Sequence, residues 1–243
     1  MELEYARHYR SLYERHWWWR ARERFLLETL SRWRPAKGWG AILDVGCGDG
    51  LMFDRLSELG DVEGVEADPS IVSETGKHRA RIQVRPFDAS FQPGKRYSLI
   101  LMLDVIEHLS DPGGALRHAV TLLEPGGVLV ATVPAFLLLW TTHDVLNHHF
   151  TRYTKRSFGT LARSAGLRVV RAGYFFHWIY PAKLLVRLRE AIVHPHPSPP
   201  RVPPRWMNEL LYLGSRLEQK LVTPLGVPFG SSLLVVARPA NVA

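Results

Sequence analysis

Apolar residues fall in short, nearly unbroken runs along most of this chain, and most runs stop at an acidic residue or a turn. Ala41-Ile42-Leu43-Asp44-Val45, Val62-Glu63-Gly64-Val65-Glu66 and the stretches 82–87, 97–105, 128–133 and 167–175 are each of strand length. Runs with so little alternation suit strands covered on both faces. Glu124-Pro125-Gly126-Gly127 reads as a turn into the fifth run, and Pro134 closes it. Helical pattern fills the intervals, as from Lys155 to Ser164 before Gly166. A last apolar run, Ser232 to Ala237, completes seven strands. The prediction is an α/β, doubly wound, seven-stranded and mostly parallel sheet.

Two parts of the chain are not needed for that sheet. Residues 1–35 predict an N-terminal helical cap, residues 36–176 the α/β core, 177–228 a helical insertion broken by prolines, and 229–243 the final strand and tail. In the insertion, Leu184, Leu185, Leu188 and Ile192 share one side of a first helix, and Leu210, Leu213, Leu217 and Leu221 one side of a second that starts near Trp206. Pro195, Pro197, Pro199, Pro200, Pro203 and Pro204 exclude a helix between them and favour an extended link. Such stripes predict helices packed on the domain or on each other. The alternative is that Lys183, Arg187, Arg189, Arg201 and Arg205 flank an apolar groove that docks a lipid-like or anionic substrate. Near the N-terminus, Trp17, Trp18 and Trp19 cannot all face a core, because successive helical residues point about 100° apart. They are expected to form a lid over a pocket, with Arg22 or Arg20 free to pair with a ligand carboxylate, and plain core packing is the alternative.

The chemistry is most legible at Asp44-Val45-Gly46-Cys47-Gly48-Asp49-Gly50. A strand running into Gly-x-Gly-x-Gly makes a turn whose backbone can approach a ligand closely. The spacing departs from the Gly-x-Gly-x-x-Gly of dinucleotide folds, and Asp44 and Asp49 would repel a diphosphate. Two carboxylates suit a ligand with an ammonium and a sulfonium, as S-adenosylmethionine has. Glu66 stands 22 residues after Asp44 at the end of the next run, where a carboxylate can accept from ribose hydroxyls. Asp88 and Asp104 end later runs, so Asp44, Glu66, Asp88 and Asp104 are expected to converge on one crevice at the carboxyl ends of the strands.

In ILDVGCGDG, GVEADP, FDAS and LDVIEHLSDP, taken in order, the chain resembles the class I S-adenosylmethionine-dependent methyltransferases over roughly residues 40 to 176 and the last strand. Within them it is similar to bacterial small-molecule and lipid-type enzymes that pair an HWWWRAR segment with an HD…HHFTRYTKRSF segment. The resemblance implies a Rossmann-like methyltransferase fold with adenosylmethionine as cofactor. By it, Gly46, Cys47, Gly48, Asp49 and Gly50 line the methionine part, Glu66 holds the ribose, Asp88 and Ala89 meet the adenine, Leu103 offers its carbonyl, and Ala67 belongs to the same cofactor-binding set. The family often has a hydroxyl residue where this chain carries Asp49.

Composition narrows the partners. Thirty-one Lys and Arg against twenty-three Asp and Glu leave a net charge of +8, which suits an anionic partner or is only a solvated surface. A single cysteine, Cys47, allows no intrachain disulfide and no cysteine zinc cluster. The charged first residues lack the apolar stretch of a signal peptide, and no run of about 18 apolar residues is present, so a cytoplasmic protein is expected, with peripheral membrane contact through 177–228 as a further option.

Methyl transfer from a sulfonium needs alignment first and a base only if the acceptor must lose a proton. Asp104, Glu107 and His108 stand at i, i+3 and i+4, and His108 is the first expectation for that base, with a capping role as its alternative. His143-Asp144 and His148-His149, followed by Arg152 and Tyr153, lie after the fifth strand and should overhang the same crevice, with His149 as the second choice. A minority alternative is a divalent ion held by Asp104, Glu107, His108 and His149, as in metal-assisted O-methyltransferases. Nucleic acid is disfavoured: the fourth strand leads into Leu-Asp-Val-Ile-Glu-His and not an Asn/Asp-Pro-Pro-Tyr loop, and the only cysteine is in the cofactor turn. The expectation is O-methylation of a small or lipid-linked hydroxyl. An RNA methyltransferase, a catalytically silent binding domain and a nicotinamide-dependent dehydrogenase are the rivals.

Overall fold

The computed structural model describes residues 10–193 and 200–240. Seven strands form one sheet: β1 (Ala41–Val45), β2 (Asp61–Glu66), β3 (Ile82–Val84), β4 (Tyr97–Leu103), β5 (Leu123–Pro134), β6 (Leu167–Phe175) and β7 (Ser232–Pro239). Their order is β3-β2-β1-β4-β5-β7-β6, and β7 alone runs against its neighbours. The order reverses between β1 and β4, so the carboxyl ends of these two strands open the crevice in which such sheets take ligands.

Both faces of the sheet are covered, which explains the unbroken apolar runs. On one face lie α3 (Pro112–Leu122) and α5 (Lys155–Ser164), which bury Leu116, Ala119, Phe158 and Ala162 against Leu43, Ile100, Leu129 and Val235. Each helix starts at a side-chain cap: Asp111 accepts from the Gly114 N–H ahead of α3, and Thr154 accepts from the Ser157 N–H ahead of α5. The other face is covered by α1 (Trp17–Trp33), capped by His16, with Ala21, Leu26 and Leu30 packed on Ile42, Leu99, Leu101 and Val236. The N-terminal segment is therefore a sheet-covering layer as well as a cap.

Between β1 and β4 the connections carry less helix than the pattern predicts. The β1–β2 link holds only the short α2 (Phe53–Leu56), and the β2–β3 link only two 3-10 turns, Pro69–Ile71 and Arg79–Arg81. No helix joins β3 to β4, and β3 ends at Val84, short of the expected Phe87. The reduced linkers leave this end of the sheet to loops, and the loop 68–77 becomes a wall of the cleft.

The insertion folds as α6 (Ile179–Val193) and α7 (Arg205–Leu221), while α4 (Thr142–Leu146) is a short helix between β5 and α5. Pro195, Pro197 and Pro199 of the expected link lie outside the described residues. Pro200, Pro203 and Pro204 are non-helical, and Pro204 precedes the first residue of α7. The apolar stripes do not pack inward as expected. Leu185, Leu188 and Ile192 of α6 are exposed, and so are Leu210, Leu213, Leu217 and Leu221 of α7. α7 instead buries Asn208, Ser215, Glu218 and Gln219. Among the described residues, no helix is long and apolar enough to cross a membrane.

Candidate active site

The carboxyl ends of β1, β2, β4 and β5 border a cleft of about 2050 Å³. That exceeds the ~300–1,000 Å³ of ordinary small-ligand pockets and leaves room for two reactants. Its first half is built on the glycine turn, where Gly46, Gly48 and Gly50 have φ of 68°, 55° and 69°. A Cβ on Gly46 would stand 2.6 Å from Val105 Cγ2, whereas one on Gly48 would meet nothing within 4 Å, so the turn is open on the cleft side. Glu66 braces it, accepting from the Gly48 N–H at 2.9 Å and the Asp68 N–H at 3.0 Å. A carboxylate has about four acceptor positions, so capacity remains for two ligand hydroxyls.

Asp44 is 5% exposed and faces this half of the cleft. Burial pushes its carboxyl up to about 7, against the opposing charge of Arg22 and with the added repulsion of Glu66. A carboxylate left this uncompensated in a pocket is matched by a cationic ligand group. Asp49 accepts from the Ser73 N–H at 3.0 Å and pairs with Arg10. Gly46, Cys47, Gly48, Asp49, Glu66 and Leu103 line the cleft, but Gly50 and Ala67 do not. Asp88 and Ala89 do not line it either: β3 ends four residues before Asp88, and both residues are exposed in a turn where Asp88 caps the Ser90 N–H. Three of the four expected acids converge on the cleft, which Ile71, Val72 and Ser73 also line.

Arg22 is buried in the wall of the cleft, and its Nη2 is already engaged. Its Nη2 lies 2.7 Å from Asp104 Oδ2 and donates to Thr132 Oγ1 at 2.9 Å, while Thr132 Oγ1 donates to Asp104 Oδ1 at 3.0 Å. The Arg22 Nε is buried without a partner. Arg20 faces away from the cleft, paired with Glu209 of α7 at 2.6 Å. The tryptophan triplet is neither wholly lid nor wholly core. Trp17 meets Phe176 and Trp178, Trp18 stacks on Phe176, and all three tryptophans line the cleft.

The second half of the cleft holds the histidines. Asp144, fully buried in α4, accepts from Arg152 Nε and Nη2, each at 2.8 Å, and from the Thr141 N–H at 2.9 Å. His149 Nδ1 lies 2.8 Å from Asp144 Oδ1. Burial alone would raise Asp144, but the hydrogen bonds from His149 and Arg152 and the Arg152 charge hold its carboxyl far below the ordinary range. An ionised carboxylate can only accept, so His149 Nδ1 carries a proton, and in the neutral ring the acceptor nitrogen is Nε2. The His108 ring meets His149 edge-on with centroids 4.7 Å apart, and burial, followed by His149, lowers its pKa.

Asp104, Glu107 and His108 do not share a helical face. The backbone turns left-handed at Asp104, with φ of 57°, and only Ile106–His108 form a 3-10 turn. Asp104 goes to Arg22, while Glu107, His108 and His149 bring one ligand atom each within 4.8 Å of one another. The expected four-residue metal set thus reduces to three. Glu107 is 1% exposed with both carboxyl oxygens unpartnered, and burial, reinforced by Asp104, pushes it well above the carboxylate range. Lys183 of α6 also faces this half and is lowered to about 8, by burial first and Arg152 next. Asp144 and Arg152 belong to the segment the sequence singled out, but their buried pairing had no signal in it. Thr132, inside an apolar strand, had no local signal as a site residue, whereas Lys183, expected beside a groove of the insertion, lines the cleft itself.

A family model described as a methyltransferase domain (Methyltransf_23) matches residues 18–172. The ubiquinone biosynthesis O-methyltransferase of Azorhizobium caulinodans is 33% identical over 117 residues, 43% of this chain and 46% of that protein. The protein of the same name from Xanthomonas euvesicatoria pv. vesicatoria is 28% identical over 150 residues, 53% of this chain and 62% of that one. The chain spans about half the length of the curated relatives it matches. In the solved complex between the Haloferax volcanii Trm112 methyltransferase activator and a methyltransferase, one chain superposes with a TM-score of 0.60 at 18% identity, covering 98% of this chain and 95% of that chain. The last match concerns the fold alone. By the extent of the domain match, the chain belongs to this methyltransferase family, and its fold is that of the class I S-adenosylmethionine-dependent enzymes.

Proposed function

We propose that this protein is an O-methyltransferase that acts on a small or lipid-linked hydroxyl acceptor, with His149 as the base that removes the hydroxyl proton. S-adenosylmethionine, when bound, supplies an electrophilic methyl group on a cationic sulfur. The residues present fit that group: an open glycine turn, an uncompensated Asp44, and Glu66 with acceptor capacity to spare. In this reading Asp44 faces the ammonium, Glu66 the ribose and Leu103 its carbonyl side. Arg22 meets the carboxylate through donors not used on Asp104 and Thr132.

The observation that carries the choice of base is the Asp144–His149 bond at 2.8 Å. Asp144, kept ionised by Arg152, fixes the imidazole tautomer with Nε2 as acceptor and stabilises the imidazolium formed on proton uptake. His108, lowered by burial and by His149, stays neutral beside it and does not repel the acceptor's proton. His149 is therefore placed ahead of His108, the reverse of the sequence-based order. An acceptor carried by a lipid also accounts for the exposed apolar helices of 177–228, which would touch a membrane from one side.

A second reading is favoured by one observation, the orphaned Glu107 carboxyl beside two imidazoles. Glu107, His108 and His149 would hold a divalent ion, which would polarise the acceptor oxygen in place of a base. Titration calorimetry with adenosylmethionine and its demethylated product, followed by turnover on a panel of small and lipid-linked hydroxyl acceptors, tests both readings. Saturable binding that Asp44→Ala and Glu66→Ala weaken, with turnover that His149→Ala abolishes and chelation leaves intact, is expected. No binding by folded protein would sink the enzyme reading, and turnover lost on chelation would select the metal.

A further inference from the structure

The second helix of the insertion is inside out. Trp206, Leu210, Leu213, Leu217 and Leu221 recur at spacings of four and three and form one stripe, as in any amphipathic helix. Yet Trp206 is 71% exposed and the four leucines 59–62%, while the polar residues face the protein. Asn208 Oδ1 accepts from the Trp17 N–H at 2.9 Å and Nδ2 donates to the Arg15 carbonyl at 2.8 Å. Glu218 accepts from the Trp178 N–H at 2.8 Å, and Gln219 donates to the Ala21 carbonyl at 3.2 Å. The polar side is thus committed to the body of the protein. A groove of about 540 Å³ runs beside the stripe, lined by Trp178, Leu210, Gly214, Leu217 and Leu221 among others. Contiguous apolar surface on this scale marks a contact face.

Charge selects the occupant. Residues 177–228 hold seven Lys and Arg against three Glu. Each of the three acids is engaged inward: Glu190 with Thr142, Glu209 with Arg20 and Glu218 with the Trp178 N–H. Of the seven bases, Arg187, Arg189, Arg201, Arg205 and Lys220 are exposed, Arg187 while donating to the Trp140 carbonyl, whereas Lys183 faces the cleft and Arg216 pairs with Glu28. A second copy would bring like-charged rims together, which is unfavourable. An anionic lipid surface meets both features at once, taking the leucines among the acyl chains and the bases at the headgroups, with Trp206 at the interface between them.

We propose that α7 seats the protein on anionic phospholipid membranes through the Trp206–Leu221 stripe. This deepens the lipid-linked reading given above and rests on it only for the purpose of the contact, since binding to lipid needs no acceptor. The seat also lies in the same insertion as α6, whose Val186 and Arg189 are exposed at the rim of the catalytic cleft.

The test is flotation of the full chain with vesicles of phosphatidylcholine alone and of phosphatidylcholine mixed with phosphatidylglycerol. Binding is expected to the mixed vesicles, weakened by salt, and to fall at least tenfold in the double variant L213E/L217E. The substituted leucines are exposed, so the variant should keep wild-type affinity for adenosylmethionine by calorimetry, which separates loss of the seat from loss of the fold. Arg205→Ser with Lys220→Ser should lower the salt dependence while leaving that affinity unchanged. The proposal is overturned if no vesicle binds the wild type, or if L213E/L217E binds as well as the wild type. It is equally overturned if the wild type proves to be a dimer that the double variant dissociates, which would give the face to a second copy. None of these failures touches the methyltransferase reading, which falls only if adenosylmethionine does not bind.

Discussion

At the scale of single residues, the proposed chemistry depends most on one carboxylate that does not line the cleft. Asp144 is surrounded by donors from Arg152, His149 and Thr141, and in the proposed mechanism it fixes the imidazole that faces the cleft. Asp144→Asn keeps the shape but places a donor where only acceptors fit, and it leaves Arg152 buried without its counter-ion. Breaking a buried pair from one side costs about 3–5 kcal/mol of stability, and loss of the imidazole tautomer in a comparable acid–histidine pair lowers turnover by about 10⁴. The expected outcome is a lower denaturant midpoint, turnover reduced by roughly 10²–10⁴, and adenosylmethionine affinity within a factor of about two, because the cofactor half does not contact Asp144. Parallel loss of cofactor affinity would show that Asp144 acts through the fold and not through His149. Backbone strain collects at the same end of the sheet: Asp104, Phe136, His148 and Phe176 all have φ between 55° and 57°. For phenylalanine such a conformation is a rare outlier, tolerated where the surroundings impose it.

At the scale of elements, the strands were legible because they are buried on both faces and therefore almost purely apolar, and their order of acids located the crevice. Asp44, Glu66 and Asp104 reached it as expected. Asp88 did not, because β3 is only three residues long and the chain leaves the sheet before that acid. The stripes of α6 and α7 were legible as stripes, but their direction was not. Periodicity says that a helix has two faces, and the side that docks is decided by its neighbours. α7 docks by its polar side because α1 offers unsatisfied backbone groups at its start, where the first N–H groups of any helix lack internal partners. Asn208 takes one of them, at Trp17. Asn208→Ala would orphan that N–H and the Arg15 carbonyl together, and should cost about 1–3 kcal/mol. Unfolding of the variant would measure this, and an unchanged midpoint would mean that α7 is held by Glu209 and Arg216 instead. His149 was singled out from sequence on position alone; its pairing with Asp144 depends on α4 folding back, which no spacing rule supplies.

At the scale of the whole molecule, charge is unevenly distributed. The chain carries +8, yet the cofactor half of its cleft is lined by Asp44, Asp49, Glu66 and Asp104. A cationic cofactor is drawn inward by these acids, but the ligand-free protein bears the cost of keeping them there. Asp44 shows it most plainly, since its carboxyl is raised to about 7 from the ordinary range near 4. Because the folded-state pKa lies above the unfolded one, this group lowers stability as pH rises from about 4 to about 7, and the penalty is complete above that window. A bound ammonium reverses the balance by favouring the ionised carboxylate, so binding at pH 6 should release a proton from Asp44. The observable is the binding enthalpy of adenosylmethionine in buffers of different ionisation enthalpy: at pH 6 it should vary from buffer to buffer with a slope approaching one proton released, and that release should shrink as the pH passes 7. Asp44→Asn should remove the dependence at pH 6 while weakening binding. A buffer-independent enthalpy at pH 6 in the wild type would mean that Asp44 is already ionised in the empty cleft, with Arg22 outweighing burial, and the cofactor would then enter a site that needs no proton to leave.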